Sequence, residues 1–251
     1  MSSVRLGPGA ARLLVIVALV IVWEVGVRVD GDPLFMSPPS SVVVSLLGFV
    51  TNLPVLGALR TTLWELVAAF LIAVAIGLPL GLIIGLQRFA YRSFHPIVLL
   101  LYAIPQATIL PLVVLMFGIG PASKIAFGAT HAVFPIVVTI VAGVQGVKPT
   151  LVTCARSMGA SRAQILANVV LPHMVPSFFT GMRLAMTSDL IGVLLAELYV
   201  SQAGVGHFTR LFTESFEPSK LFALIACLAA IAVLLNELCR RAERRMSRWH
   251  D

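Results

Sequence analysis

Apolar residues fall in long runs near 11–28, 59–87, 94–117, 124–146, 176–200 and 219–239, separated by short polar stretches. Spanning the hydrocarbon core takes about 20 apolar residues per helix, so these runs predict an all-α integral membrane protein with about six transmembrane helices. Short alternating strands of the β-barrel kind are absent from the pattern. A further apolar stretch, 41–50, follows the Ser37-Pro38-Pro39-Ser40 cluster and is too short to cross, so it is expected to lie in the interface. Pro8, Pro33, Pro54 and Pro149 punctuate the connections. The run from Leu13 to Val27 resembles a secretory leader in its basic flank. It carries Trp23 and Glu24 and lacks a small-residue cleavage site, so it is expected to persist as the first helix.

Composition supports the same picture. Of 251 residues, 59% are hydrophobic and 12% charged. A soluble domain carries about a quarter charged residues, so lipid must cover much of this surface. The net charge of +7 would suggest nucleic acid in a soluble chain. Here the basic residues flank apolar runs, which fits topology and headgroup contact and excludes nucleic acid as a partner. Six spans place both termini on one side. That side receives Arg5, Arg12, Arg88, Arg92, Lys148, Arg156, Arg162, Arg240, Arg241, Arg244, Arg245 and Arg248. The other receives Arg28, Arg60, Lys124, Arg210 and Lys220, with Asp30, Asp32, Glu214 and Glu217. The positive-inside rule then makes the termini cytoplasmic and the 201–218 loop external. One transmembrane domain over 1–251 is expected, with an N-terminal helix at 11–28, core helices over 59–239 and a cytoplasmic loop at 150–172.

Gly77, Gly81 and Gly85 recur every fourth residue around Pro79 and allow close approach of another helix, within the subunit or from a second copy. Pro96, Pro105 and Pro111 in the third run predict a kinked helix whose freed carbonyls need neighbours or a cavity; a path lined by broken helix is the functional reading.

The 150–172 loop holds the most local information. Thr150 is placed to cap a short helix that Gly159 ends, and Ser161 with Gln164 forms a capping box opening a second helix, which Pro172 terminates. A helix, a glycine turn and a helix presented to the cytosol suit docking into a partner's groove; a plain amphipathic surface loop is the alternative.

At these residues the sequence resembles the permeases of type I ABC importers. Ala155-Arg156-Ser157-Met158-Gly159-Ala160-Ser161 followed by Val170-Leu171-Pro172 is similar to the family's cytoplasmic loop, an E-A-A pattern with a downstream Gly and a distal Leu-Pro. Ile104-Pro105, Ile109-Leu110-Pro111 and Phe117-Gly118-Ile119-Gly120 resemble its third span. Ala122-Ser123-Lys124-Ile125 and Phe134-Pro135-Ile136 resemble the fourth; Phe179-Thr180-Gly181-Met182-Arg183 and Ala196-Glu197 resemble the fifth. Their order points to the branch for sulfonates, taurine, nitrate and related small molecules. The resemblance implies a coupling helix seated on an ATPase through Thr153, Cys154, Ala155, Arg156, Gly159, Ala160, Ser161, Arg162, Leu171 and Pro172. Thr153 and Cys154 stand where the pattern has Glu and Ala, and Glu65 stands where this branch leads one to expect a basic residue. The implied partners are two ATPase subunits carrying ATP and Mg, a second permease copy and an outer solute-binding protein, in a bacterial inner membrane.

Charges within the apolar runs are Glu24, Glu65, Arg183, Asp189 and Glu197. Each must face a partner or water, which makes Glu65, Arg183, Asp189 and Glu197 candidates for the translocation path, with interhelical ion pairing as the alternative. Asp189 and Glu197, eight apart, share a face and would suit a cationic or zwitterionic solute; Glu197, near the outer end, can also reach headgroups. His95, His131 and His173 are scattered, and Cys154, Cys227 and Cys239 have no metal-ligand spacing. No cofactor is expected on this chain, and no G-x-x-x-x-G-K loop is present, so hydrolysis is expected on a partner. A secondary transporter or channel would show inverted repeats, and an intramembrane enzyme a convergent catalytic set.

Overall fold

The computed structural model describes residues 8–246 and is helical, with no strand among the described residues. Arg5 and Arg248, two of the basic residues in the topology argument, lie outside them. The helices are α1 Pro8–Asp30, α2 Pro39–Phe49, α3 Leu53–Leu86, α4 Arg88–Ala103, α5 Leu110–Phe117, α6 Pro121–Gln145, α7 Pro149–Ser157, α8 Arg162–Ile165, α9 Leu171–Val200, α10 Val205–Glu214 and α11 Pro218–Met246. Five stretches are long and apolar enough to cross a bilayer, and α4 with α5 makes a sixth if the bent pair counts as one span. The short α2 does not reach spanning length, as expected.

Residues group into two compact units, Met1–Ala58 with Phe208–Ala229, and Leu59–His207 with Ala230–Asp251. In the first, Glu24 answers for its charge by taking hydrogen bonds from Arg28 and from the Ser40 N–H and hydroxyl. Trp23 meets Phe222 edge-on, Phe49 stacks on Phe212, and the Ser37 and Ser219 hydroxyls lie 2.6 Å apart.

In the second unit the core joins α3, α6 and α9, with Ala73, Ile136, Ile140, Met174 and Ala185 at its centre. The three glycines of α3 face α6. A Cβ on Gly77 would lie 2.9 Å from Ile136 Cγ2, on Gly81 2.7 Å from Ile140 Cβ, and on Gly85 2.9 Å from Val144 Cβ. The repeat therefore serves packing inside the subunit. Gly81→Val is expected to lower membrane yield and thermal stability by about 1–3 kcal/mol, the usual cost of overpacking. Gly48→Ala, with nothing within 4 Å of its Cβ, is the control that should melt like the parent. Equal melting of both variants would show that α3 and α6 are not in this contact.

Three readings of helix ends meet the structure differently. First, the third run is broken, as the broken-helix reading of its prolines has it: α4 and the Gln106–Phe117 segment differ in direction by 85°. Ile104 precedes a proline and is extended (ψ 133°), Pro105 follows, and a 3-10 turn at Gln106–Ile109 leads into α5 with Pro111 in its first turn. Second, α7 starts on Pro149, with Lys148 at the N-cap and no side-chain cap, so Thr150 caps nothing. Proline's fixed φ suits the first helical position, which sets the cap two residues earlier than expected, at Lys148. Third, Pro172 stops no helix. A π-turn at Leu166–Val170 widens the backbone just before it, and Arg162–Val200 runs on as 39 residues. The nominal loop 201–218 also contains α10.

Candidate functional site

Two places gather the residues that sequence singles out. The first is the loop around Gly159. Helix α7 closes in a Schellman motif: the Gly159 N–H bonds Arg156 O, the Ala160 N–H bonds Ala155 O, and Gly159 has φ +82°. The Ser161 hydroxyl accepts from the Gln164 N–H and the Gln164 side chain accepts from the Ser161 N–H, completing the capping box. Two helices thus meet at a turn whose every residue is locally determined. Val152, Ala155 and Ala160 pack inward on the α3–α6–α9 core. Outward stand Thr153, Cys154, Arg156, Gly159, Ser161 and Arg162, with Leu171 and Pro172 exposed further along. Thr153 Oγ1 donates to Pro149 O at 3.0 Å and is spent inside its own helix. Met158, at 86% exposure, is the most projecting apolar side chain of the loop. It borders a groove of about 310 Å³ shared with Gly159, Ala160, Gln164 and Asn168.

The second place is a polar cluster at the Val200 end of α9. Glu197 is wholly buried; its carboxylate accepts from Thr62 Oγ1 at 2.7 Å and from the Gly206 N–H at 2.8 Å. Thr62 Oγ1 in turn accepts from the Val205 N–H at 2.9 Å. Beside this, Lys124 Nζ lies 2.5 Å from Glu65 Oε1 and donates to Ser201 Oγ at 3.1 Å. Neither Glu65 oxygen accepts a hydrogen bond of regular geometry, so charge holds that pair. The Glu65 carboxyl is also a neighbour of Glu197. Gly204 (φ +99°) and Gly206 leave the room: a Cβ on either would run into Glu197.

Burial decides where the four membrane charges stand. Glu65 and Glu197 are 0% exposed and Asp189 2%. Asp189 packs against Gly128 in the α6–α9 contact with its Oδ1 unpartnered. The shared face of Asp189 and Glu197 is therefore a helix contact within the subunit, and Glu197 does not reach headgroups. Arg183 pairs with Glu243 of α11 and donates to Thr180 Oγ1. The structure brings Glu65 and Glu197 together; Asp189 and Arg183 stand apart from them and from each other.

Lys124 was expected on the outer side, at the start of the fourth apolar run; it stands in the first turn of α6 and is 2% exposed, turned into the subunit and not toward solvent. Thr62, Ser201, Gly204 and Gly206 were not singled out by sequence at all. A lysine opening the apolar run at 124–146 was the available signal.

The break between α4 and α5 opens a cavity of about 580 Å³ lined by Ala107, Thr108, Leu110, Pro111, Val114, Tyr199 and Val200. Thr108 and Tyr199 are its polar lining residues, the Thr108 hydroxyl donating to Pro105 O at 2.7 Å, and no charged side chain lines it. His131 Nδ1 contacts Phe127 O and His173 Nε2 contacts Gly146 O. Among the described residues no three His, Cys, Asp or Glu side chains converge on a metal position.

Comparison with known proteins fits this geometry. The taurine transport system permease protein TauC of Escherichia coli is 34% identical over 242 residues, covering 93% of this chain and 87% of that protein. The putative aliphatic sulfonates transport permease protein SsuC of Bacillus subtilis is 26% identical over 257 residues, covering 99% and 93%. The fold matches a chain of the inward-facing MetNI methionine ABC transporter with a TM-score of 0.67 at 20% identity, over 75% of this chain and 94% of that one. The model of the binding-protein-dependent transport system inner membrane component family spans residues 77–248, and the chain belongs to that family, as a membrane permease subunit of an ABC importer.

Proposed function

We propose that this subunit forms half of a solute path in a bacterial inner membrane, paired with a second copy, driven by two ATPases that dock on the Gly159 loop and fed by an external solute-binding protein. The observation that carries the reading is the broken α4–α5 span. Ile104 and Pro105 are exposed and outside any helix. Irregular backbone at membrane depth is tolerated only against protein or a water-filled space. A path lined by that break, with a second copy closing it, meets the requirement. Leu115 and Met116 on α5, 83% and 71% exposed, give the copy an apolar face to cover.

The solute we propose is a small organic sulfonate of the taurine kind. The likeness to TauC supports this, and so does the wall: no charged side chain lines the cavity, while the nearby Glu65 and Glu197 carboxyls are buried within the subunit, where they would not repel an anion. In this reading Glu65, Asp189 and Glu197 hold the wall in place and Arg183 ties α9 to α11. ATP and Mg are bound by the partner subunits, and this chain contributes docking and passage.

Both termini are cytoplasmic in this proposal, with the α4–α5 pair counted as one crossing. A cysteine placed at Gln202 should react with an impermeant thiol reagent in intact cells, and one at Ala242 only after permeabilisation; the reverse pattern would overturn the orientation. The function itself is tested in proteoliposomes holding this chain, its co-purified ATPase and the binding protein. ATP-dependent taurine uptake is expected, and ATP-independent uptake without any ATPase would point to a channel or secondary carrier.

A further inference from the structure

The helix that begins in the Gly159 loop ends in the Glu197 cluster. Arg162–Val200 is 39 residues long, about 58 Å at 1.5 Å per residue, against a hydrocarbon core of about 30 Å. Its two ends therefore lie at opposite faces of the membrane. Along this length it is seated on α6 at points where no Cβ fits. A Cβ on Gly128 would lie 2.5 Å from Asp189 Oδ1 and from Val193 Cγ2, on Gly143 2.8 Å from Ser177 Cβ, and on Gly192 3.0 Å from Gly128 Cα. Contacts this close leave little room for sliding, so α6 and α9 move as one body. A displacement applied at the Gly159 end is thereby carried to the Val200 end.

At that end the chain turns back on itself around one side chain. The Ser201–Gly206 turn delivers the Gly206 N–H to Glu197 and the Val205 N–H to Thr62, while the Ser201 hydroxyl meets Lys124 and closes on Ala203 O at 2.5 Å. Gly204 and Gly206 are bare where they face the carboxylate. The turn is a receptor shaped for Glu197, and Thr62 bolts the assembly to α3. Tyr199 and Val200, within three residues of Glu197, line the cavity opposite Thr108 and Pro111.

We propose that Glu197, Thr62 and the Ser201–Gly206 turn form a latch that transmits movement of the Gly159 loop to the cavity wall on the opposite face of the membrane. Glu197 and Thr62 are positioning residues: they touch no solute but fix where Tyr199 and Val200 stand when the ATPases close. The inference rests on the importer reading. Rigid elements with two discrete arrangements are the physical basis of such coupling, and coupling between sites commonly amounts to about a 5–150-fold effect.

The experiment compares the parent, Thr62→Ser, Thr62→Val and Glu197→Gln in the full complex, at matched amounts in proteoliposomes. ATPase co-purification, ATP turnover and uptake per ATP are measured together. Thr62→Ser keeps the hydroxyl and should match the parent. Thr62→Val removes the hydroxyl that donates to Glu197 and accepts from the Val205 N–H, and Glu197→Gln sets an amide NH2 or a weaker acceptor against the Gly206 N–H. Both should keep the ATPase bound and turning over, with uptake per ATP down fivefold or more. Parent-like uptake per ATP in both variants would overturn the latch. So would loss of folded complex in Thr62→Val, which would make the cluster a folding element only. If the parent itself neither retains an ATPase nor couples uptake to ATP, the importer reading fails instead.

Discussion

Lys124→Met is expected to be the most damaging single substitution in the described membrane segments, at about 3–5 kcal/mol, the cost of removing one partner of a buried pair. The ammonium lies 2.5 Å from Glu65 Oε1, with side-chain exposures of 3% and 0%. Without it the Glu65 carboxylate stays in a dry contact where neither of its oxygens accepts a regular hydrogen bond, and Glu197 adds a second carboxyl nearby. Ser201 loses a donor as well. Replacing both members should do less harm. Glu65→Met with Lys124→Met swaps the pair for side chains of similar volume, and such exchanges are often neutral or stabilising. Thermal melting of the purified permease in detergent should therefore show the double variant above the Lys124→Met single. Additive losses, or a Lys124→Met protein that melts like the parent, would show that the pair is not buried as a unit. Glu65→Lys alone should fail here, because it sets a second ammonium against Lys124.

Legibility in the sequence follows the range of the interaction. The capping box at Ser161 and Gln164 and the Gly159 turn are readable because both partners lie within a few residues and each residue type has one strong conformational use. The apolar runs are readable for a similar reason, since length and hydropathy alone set the spans. The glycine repeat of α3 announced a close contact, but not that Ile136, Ile140 and Val144 supply it, since those belong to another helix. Pro172 misled because proline's usual effect on a helix was absorbed by a π-turn, which leaves no mark in residue order. The Glu65–Lys124–Glu197 cluster was hidden most fully. Each member was visible as a charge, yet Lys124 read as one more outer-side basic residue because it opens its apolar run, and Thr62 and Ser201 are unremarkable until the fold brings them to Glu197. Arg183 was legible as an ion-pair candidate, but Glu243, its partner, sits sixty positions away.

Gly159→Val is expected to weaken ATPase docking and coupled uptake sharply while leaving insertion and folding intact. Gly159 has φ +82° and nothing lies within 4 Å of its Cβ position, so a side chain there meets no neighbour and the whole penalty is conformational. A β-branched residue at positive φ is a marked outlier, and holding it there costs about 1–3 kcal/mol. The Schellman bonds from Gly159 to Arg156 and from Ala160 to Ala155 hold the turn in place, and they are the bonds released when the backbone relaxes to negative φ. The Met158 knob and the groove beside it then lose their relation to the Ser161 cap. A strain of that size lowers the fraction of loop ready to dock, and with it the apparent affinity for the ATPase, by about 5- to 150-fold. Gly159→Ala should fall between parent and Val, because alanine lacks the β-branch but still resists positive φ. The spans keep their own backbone hydrogen bonds, so membrane yield and melting temperature should stay near the parent's for both variants. Pull-down of the ATPase and ATP-driven uptake, measured on the same membranes, should decline in the order Gly, Ala, Val. Parent-like docking and uptake in Gly159→Val would show that the Arg156–Ser161 turn is not where the ATPase engages this subunit.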